Sequence, residues 1–192
     1  MRAGIFIDGA YIDMYAKRKK ITIDHEKLTQ YFMSPLREEN QVDLMRCYYY
    51  HCPPWVSNRP TKDELRRMEI HEEFRDQLNN MNRWHMRLGK LQKKWDGEKE
   101  YYEQKRVDVL LSVDLVRHAA AGHIQHAILV AGDSDFIPAV QAAKESGVTM
   151  TLWHNPGVSV HQELLELVDE MHQIDINKIK IKAKRRKKRS SK

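Results

Sequence analysis

Ala127-Ile128-Leu129-Val130-Ala131-Gly132-Asp133-Ser134-Asp135-Phe136 is the stretch that decides the fold. Its five leading apolar residues are too few for a helix and do not alternate with polar ones, so they read as a strand buried on both faces. Glycine and two aspartates interrupt the run. Helical periodicity then carries from Ser134 to Ser146, where Gly147 stops it. A buried strand turning into a helix through small polar residues is one half of a βαβ unit. The start of the chain repeats the pattern: Ala3-Gly4-Ile5-Phe6-Ile7 ends on Asp8 and leads into a helix over Ala10 to Lys19.

Working outward, Val148 to Trp153 reads as a further strand and Arg106 to Ala121 as a helix stopped by Gly122. Asp24 to Phe32 is a second helical segment near the N-terminus. Val42 to His51, with Cys47-Tyr48-Tyr49-Tyr50 in its second half, is a strand halted by Pro53-Pro54. A charged helix spans Thr61 to Met81, and Trp84 to Leu91 is the third strand. Gln92 to Gln104 contains Asp96-Gly97, the turn chemistry of a hairpin or ordered loop. Val158 to Met171 reads as the last helix. Strands and helices alternating in this way predict an α/β fold: a three-layer α/β/α sandwich around a mainly parallel five-stranded sheet.

The 192 residues suit one domain, expected over residues 1–175, with residues 176–192 as a flexible basic tail. Lys178 to Lys192 holds ten basic residues and no acidic one. The rest of the chain has 23 basic residues (33 less 10) against 27 acidic, so the overall charge of +6 belongs to the tail. A block of like charge stays solvated and binds polyanions. Cys47 and Cys52 are too few for a disulfide framework and lack a common zinc spacing, which favours a reducing, cytoplasmic setting. No signal peptide and no apolar run long enough for a membrane span is visible.

Five aspartates in three separated segments carry the chemistry. Asp8 and Asp133 each follow a buried strand, so a parallel sheet puts both on one edge; neighbouring strands would set them face to face at a switch point. Asp135 lies two residues past Asp133. Asp108 and Asp114 share a helix, about 9 Å apart along its axis and about 120° apart around it. Each has a plainer use as a helix cap or a solvated residue. Taken together, unpaired carboxylates in a small volume call for a divalent cation and point to metal-assisted phosphodiester cleavage.

These residues carry a resemblance. Phe6-Ile7-Asp8-Gly9, Lys105-Arg106-Val107-Asp108 with Asp114, and Val130-Ala131-Gly132-Asp133-Ser134-Asp135-Phe136 resemble the NYN domain of the PIN-like nuclease superfamily, nearest its LabA-like branch with K-x-V-D and G-D-x-D-F signatures. The resemblance covers roughly residues 3–172. It implies a Rossmann-like sandwich and a ribonuclease using Mg²⁺ or Mn²⁺, with Asp8, Asp108, Asp114, Asp133 and Asp135 as metal-site and catalytic residues and RNA as partner. Tyr11 stands where many members carry Asn. Gly132-Asp133-Ser134 also resembles the G-D-S-x-x-D motif of haloacid-dehalogenase-like phosphatases, but Ile137 replaces its second aspartate, and Ala10 stands where the aspartate after the nucleophile belongs.

RNA contacts are expected from Lys105 at the mouth of the site, from Tyr11 and Ser134, and from the tail residues Lys184, Arg185, Arg186, Lys187, Lys188 and Arg189. His118, His123 and His126 fall at the opposite edge of the sheet and are assigned no catalytic role. His154, after a strand, is on the carboxylate edge. Tyr50 and Trp55 are candidates for base stacking, although core packing is the plainer use of the tyrosines.

Overall fold

The computed structural model of the chain describes residues 1–39, 42–158 and 160–181. Elements run β1 (Arg2–Asp8), α1 (Gly9–Arg18), α2 (His25–Glu39), β2 (Asp43–His51), α3 (Lys62–Asn80), β3 (Trp84–Leu88), β4 (Lys90–Trp95), β5 (Glu100–Lys105), α4 (Val107–Ala120), β6 (His126–Val130), α5 (Ile137–Glu145), β7 (Thr149–His154), α6 (Gln162–Leu167), β8 (Glu170–Gln173) and α7 (Ile176–Ile179). A 3-10 turn over Ser134–Phe136 precedes α5. Expected residues Lys184 to Arg189 of the tail lie outside the described residues.

The main sheet has the order β3-β2-β1-β6-β7-β8, and every pairing in it is parallel. It has six strands rather than the expected five. The expected last helix, Val158 to Met171, is short: α6 covers only Gln162–Leu167, and Glu170–Gln173 turns back as the edge strand β8. The expected third strand also divides. β3 ends at Leu88, and after Gly89 the chain leaves the sheet as β4, pairing antiparallel with β5 in a separate two-stranded ribbon. Gly89 is required at that corner: a Cβ there would lie 2.6 Å from the Lys105 carbonyl oxygen and 2.7 Å from Val107 Cγ2.

Period-two alternation sorts the central strands into two cores. Ile5, Ile7, Ile128 and Val130 face Ile12 of α1, Leu28, Phe32 and Met33 of α2, Leu78 of α3 and Ile179 of α7. Phe6, Ala127 and Leu129 face Val107, Leu111 and Leu115 of α4, Val140 and Ala143 of α5, and Leu164 of α6. Residues 176–181 therefore pack on the first of these layers, and Lys180 bridges to Ile23. The order of the strands reverses between β1 and β6, where ligands settle in open α/β sheets. Among the described residues no helix is long and apolar enough to cross a membrane, and Cys47 and Cys52 are buried free thiols.

Candidate active site

Asp8 continues the alternation of β1 on the same face as Phe6, the side covered by α4 and α5. Its carboxylate opens α1: Oδ1 accepts from the backbone N–H of Ala10 at 3.0 Å and of Tyr11 at 3.3 Å. Across the switch point, Asp133 opens the 3-10 turn in the same way, Oδ1 accepting from the Asp135 N–H at 3.2 Å. The cap reading is thus correct for both, and each cap occupies one oxygen. Asp108 enters from the first turn of α4, a helix start with no side-chain cap and with Arg106 at φ 75°.

These carboxylates feel one another. Burial pushes Asp8 up to about 6, with Asp108 and Asp133 adding repulsion against the two capping amides. Burial also raises Asp108, followed by the charges of Asp133 and Asp135. Among the described residues, no Lys, Arg or His forms an ion pair with any of the four. Negative charge gathered from three segments is left uncompensated.

Asp114 is placed elsewhere, only 1% exposed beneath α4. Arg87 of β3 donates from Nε to Asp114 Oδ2 at 2.9 Å and from Nη2 to Oδ1 at 3.3 Å. Arg117 donates to Oδ1 at 3.3 Å and the Tyr50 hydroxyl to Oδ2 at 3.0 Å. With both oxygens engaged, Asp114 ties α4 to β2 and β3 and is not grouped with the other four. The intervening geometry agrees with its six-residue separation from Asp108 on the helix.

Tyr11 is also committed to scaffolding. Its hydroxyl oxygen accepts from the Asn155 backbone N–H at 2.9 Å, and its carbonyl accepts from Asn155 Nδ2 at 3.1 Å. Its ring lies over Gly132, where a Cβ would come within 2.6 Å of Cε2. Tyr11 therefore bolts α1 to the loop after β7 and fixes the turn that presents Asp133. A cavity of about 410 Å³ opens beside it, lined by Asp8, Tyr11, Met14, Asp133, Ser134 and His161. His161 carries no site signal in the sequence, since it falls inside the helix expected over Val158 to Met171; it stands just before α6. A second groove, about 1000 Å³, runs from Asp108, Ser134 and Asp135 along Val109 and Val113 to Arg117.

Ser134 is half-buried at the rim, its hydroxyl 3.5 Å from Asp133 Oδ1. Lys105, at the end of β5, is held by Glu103 at 2.5 Å and lines neither cavity. His154 ends β7 on this edge, with a buried Nδ1 that has no hydrogen-bond partner among the described residues. At the opposite edge His118 is hydrogen-bonded to the Tyr48 hydroxyl at 2.7 Å and to His123 at 3.1 Å, while His126 meets Thr151 at 2.6 Å. Tyr48, Tyr49 and Tyr50 are all core residues.

Among the described residues, no three His, Cys, Asp or Glu side chains converge closely enough to cage a metal ion. The donors at the switch point are all hard oxygens, each cap leaving a second oxygen. That set suits Mg²⁺ or Mn²⁺ held by one or two carboxylates with water completing the shell, rather than an all-protein cage.

A parallel six-stranded sandwich with an acidic switch point defines an α/β domain of the Rossmann-like kind. The family model of the NYN domain matches residues 2–182, and the chain belongs to that family, whose members are typically PIN-like nucleases. It is also similar to the crystal structure of a protein of unknown function from Vibrio parahaemolyticus RIMD 2210633, at 17% identity and a TM-score of 0.63, over 94% of this chain and 96% of that one. That likeness concerns the fold alone. Among curated proteins no match to the chain was found.

Proposed function

We propose that the protein is a metal-dependent endoribonuclease of the LabA-like branch of NYN domains, hydrolysing RNA phosphodiester bonds at the β1–β6 switch point. The observation that carries this reading is the uncompensated group Asp8, Asp108, Asp133 and Asp135, with Asp8 pushed up to about 6 and Asp108 raised as well. Family membership supports an RNA substrate and divalent-metal use. Asp8 and Asp133 would hold Mg²⁺ or Mn²⁺ through their uncapped oxygens, with Asp108 and Asp135 acting through water. The bound ion would supply an activated water and neutralise charge on the phosphate.

The chain's own residues have distinct tasks. The capping bonds from Ala10, Tyr11 and Asp135 orient the two principal carboxylates before substrate arrives. Tyr11 and Asn155 hold the loop and α1 in place. Ser134 sits beside Asp133 to orient water or a phosphate oxygen, and Lys105 and His161 border the route by which a polyanion approaches. Asp114, with Arg87 and Arg117, positions α4 and hence Asp108. No side-chain nucleophile and no covalent intermediate are required.

The test is incubation of the full chain with assorted RNAs in Mn²⁺, Mg²⁺ or EDTA, alongside Asp133→Asn. Cleavage is expected in the metals, none in EDTA, and a loss of about a hundredfold or more in the variant. An equally active Asp133→Asn would overturn the assignment. A second reading, an RNA-binding or regulatory module with a weak or silent site, is favoured by Tyr11, which stands where many family members carry Asn and is committed to Asn155; RNA binding without cleavage in either metal would support it.

A further inference from the structure

The β4–β5 ribbon has no part in either core beyond Leu91 at its root, yet it carries three exposed aromatic rings. Trp95 is 63% exposed, Tyr102 50% and Tyr101 39%. A two-stranded ribbon gains little from such rings in water and is marginal by itself. Pairing sets Leu91 opposite Gln104, Lys93 opposite Tyr102 and Trp95 opposite Glu100, so these six residues share one face. Trp55, from the segment after β2, packs beneath that face: its ring lies 6.0 Å from the Tyr102 ring, and Lys93 Nζ sits 4.9 Å over it. A cleft of about 560 Å³ separates the ribbon from Pro53, Pro54, Trp55 and Met68.

The ribbon is rooted at the carboxylate edge. Gly89 N–H donates to the His51 carbonyl at 2.9 Å, and Lys105 closes β5 three residues before Asp108. Six residues of strand extend about 20 Å from that root. Five lysines (Lys90, Lys93, Lys94, Lys99 and Lys105) are distributed along the ribbon. Lys93, Lys94 and Lys105 pair with Glu100 or Glu103; exposed pairs of this kind are weak and exchange readily for phosphate. Lys90 and Lys99 have no ion pair among the described residues.

From this juxtaposition we infer that the β4–β5 ribbon, with Trp55, is a single-strand RNA-binding arm that holds the substrate's flank while the scissile phosphate reaches Asp8 and Asp133. The inference rests on the RNA reading of the switch point. Aromatic faces alternating with cations match a chain of unpaired bases and phosphates. Trp95 and the Lys93–Tyr102 pair are two residues apart along the ribbon, a rise of about 6.6 Å, which suits adjacent nucleotides with splayed bases. A duplex hides its base faces in the stack and offers none to these rings.

The experiment measures affinity of the full chain for a labelled single-stranded oligoribonucleotide and for its duplex, in EDTA at about 0.3 M salt, where contacts from the cationic tail are weakened. Trp95→Ala/Tyr102→Ala is expected to lose at least about tenfold for the single strand and to leave the duplex unchanged. Trp95→Phe/Tyr102→Phe should retain most of the affinity. Trp95→Ala alone removes a ring with no ring partner among the described residues, so its expected loss of about fivefold or more cannot be put down to misfolding. Single-strand affinity unchanged in both alanine variants would overturn the inference, and would leave the exposed rings to a protein partner. If the parent cleaves RNA while the ribbon variants bind normally, the arm fails and the nuclease reading stands. If no metal supports cleavage but the variants lose single-strand binding, the arm stands and the nuclease reading fails.

Discussion

Asp8→Asn should make the protein inactive and more stable, and the gain should depend on pH. In the folded chain the Asp8 carboxyl is pushed from 3.8 to about 6, chiefly by burial and then by Asp108 and Asp133. That rise corresponds to about 3 kcal/mol of disfavoured negative charge at neutral pH. The sign follows from which state holds the proton. Below about pH 3.8 the group is neutral in folded and unfolded chains alike and costs nothing; as pH rises toward about 6 the unfolded chain ionises first, and the folded state loses stability until both are charged. Asparagine is neutral throughout and caps a helix as well as aspartate does, so the bonds to Ala10 and Tyr11 survive. Urea unfolding in EDTA should therefore show a gain approaching 3 kcal/mol at about pH 7.5 that disappears near pH 4. In a thermal melt this is a rise of about 6–12 °C for a chain of this size. Mn²⁺ should raise the melting temperature of the parent more than that of the variant, because binding to the folded state is linked to its stability. A variant less stable than the parent at neutral pH, or equally favoured at both, would refute the crowding argument.

Three further outcomes are expected. Asp114→Asn should act in the opposite direction, costing about 3 kcal/mol or more, because it leaves Arg87 facing a neutral amide under α4; a urea midpoint equal to the parent's would contradict the tethering role. Tyr11→Phe should lose about 1–2 kcal/mol through the unpaired Asn155 N–H, and hydrogen exchange at Asn155 should accelerate. Truncation after Ile181 removes eight cationic residues; with half of them on phosphates, the slope of log affinity against log salt should flatten by about 3 for single-stranded RNA, whereas matching slopes would leave the tail without an RNA role.

The central strands were legible because each is a short unbroken apolar run, and a parallel sheet covered on both faces demands that composition. The pairing of β1 with β6 stands in the sequence only as a condition for Asp8 to face Asp133; it is the strand order of the folded sheet that brings the two strands together. The sixth strand was not legible: Glu-Met-His-Gln is a polar edge segment with almost nothing buried, and it carries no periodic signal. β3 and β4 looked like one strand because the break falls on a single glycine whose need is tertiary, the close approach of Lys105 and Val107. Asp114 announced itself as an acid, but its cationic partner Arg87 lies 27 residues away on another element. Tyr11 was legible as a departure from the family and not as a bolt, since Asn155 is 144 residues distant.

The placement of β1 bears on how the chain assembles. It precedes the other strands of this sheet in chain order and lies in the middle of the finished sheet, with β2 on one side and β6 on the other. Ile7 meets Val130 only across a separation of 123 positions in the chain, so β1 has one unpaired edge until most of the domain has been made. Contacts of such long range slow folding. They also mean that Asp8, Asp108 and Asp133 come together only when β6 docks, so a nascent or half-folded chain cannot present the acidic group. Metal binding, on this view, should be among the last properties recovered during refolding, trailing the burial of Trp84 against α2.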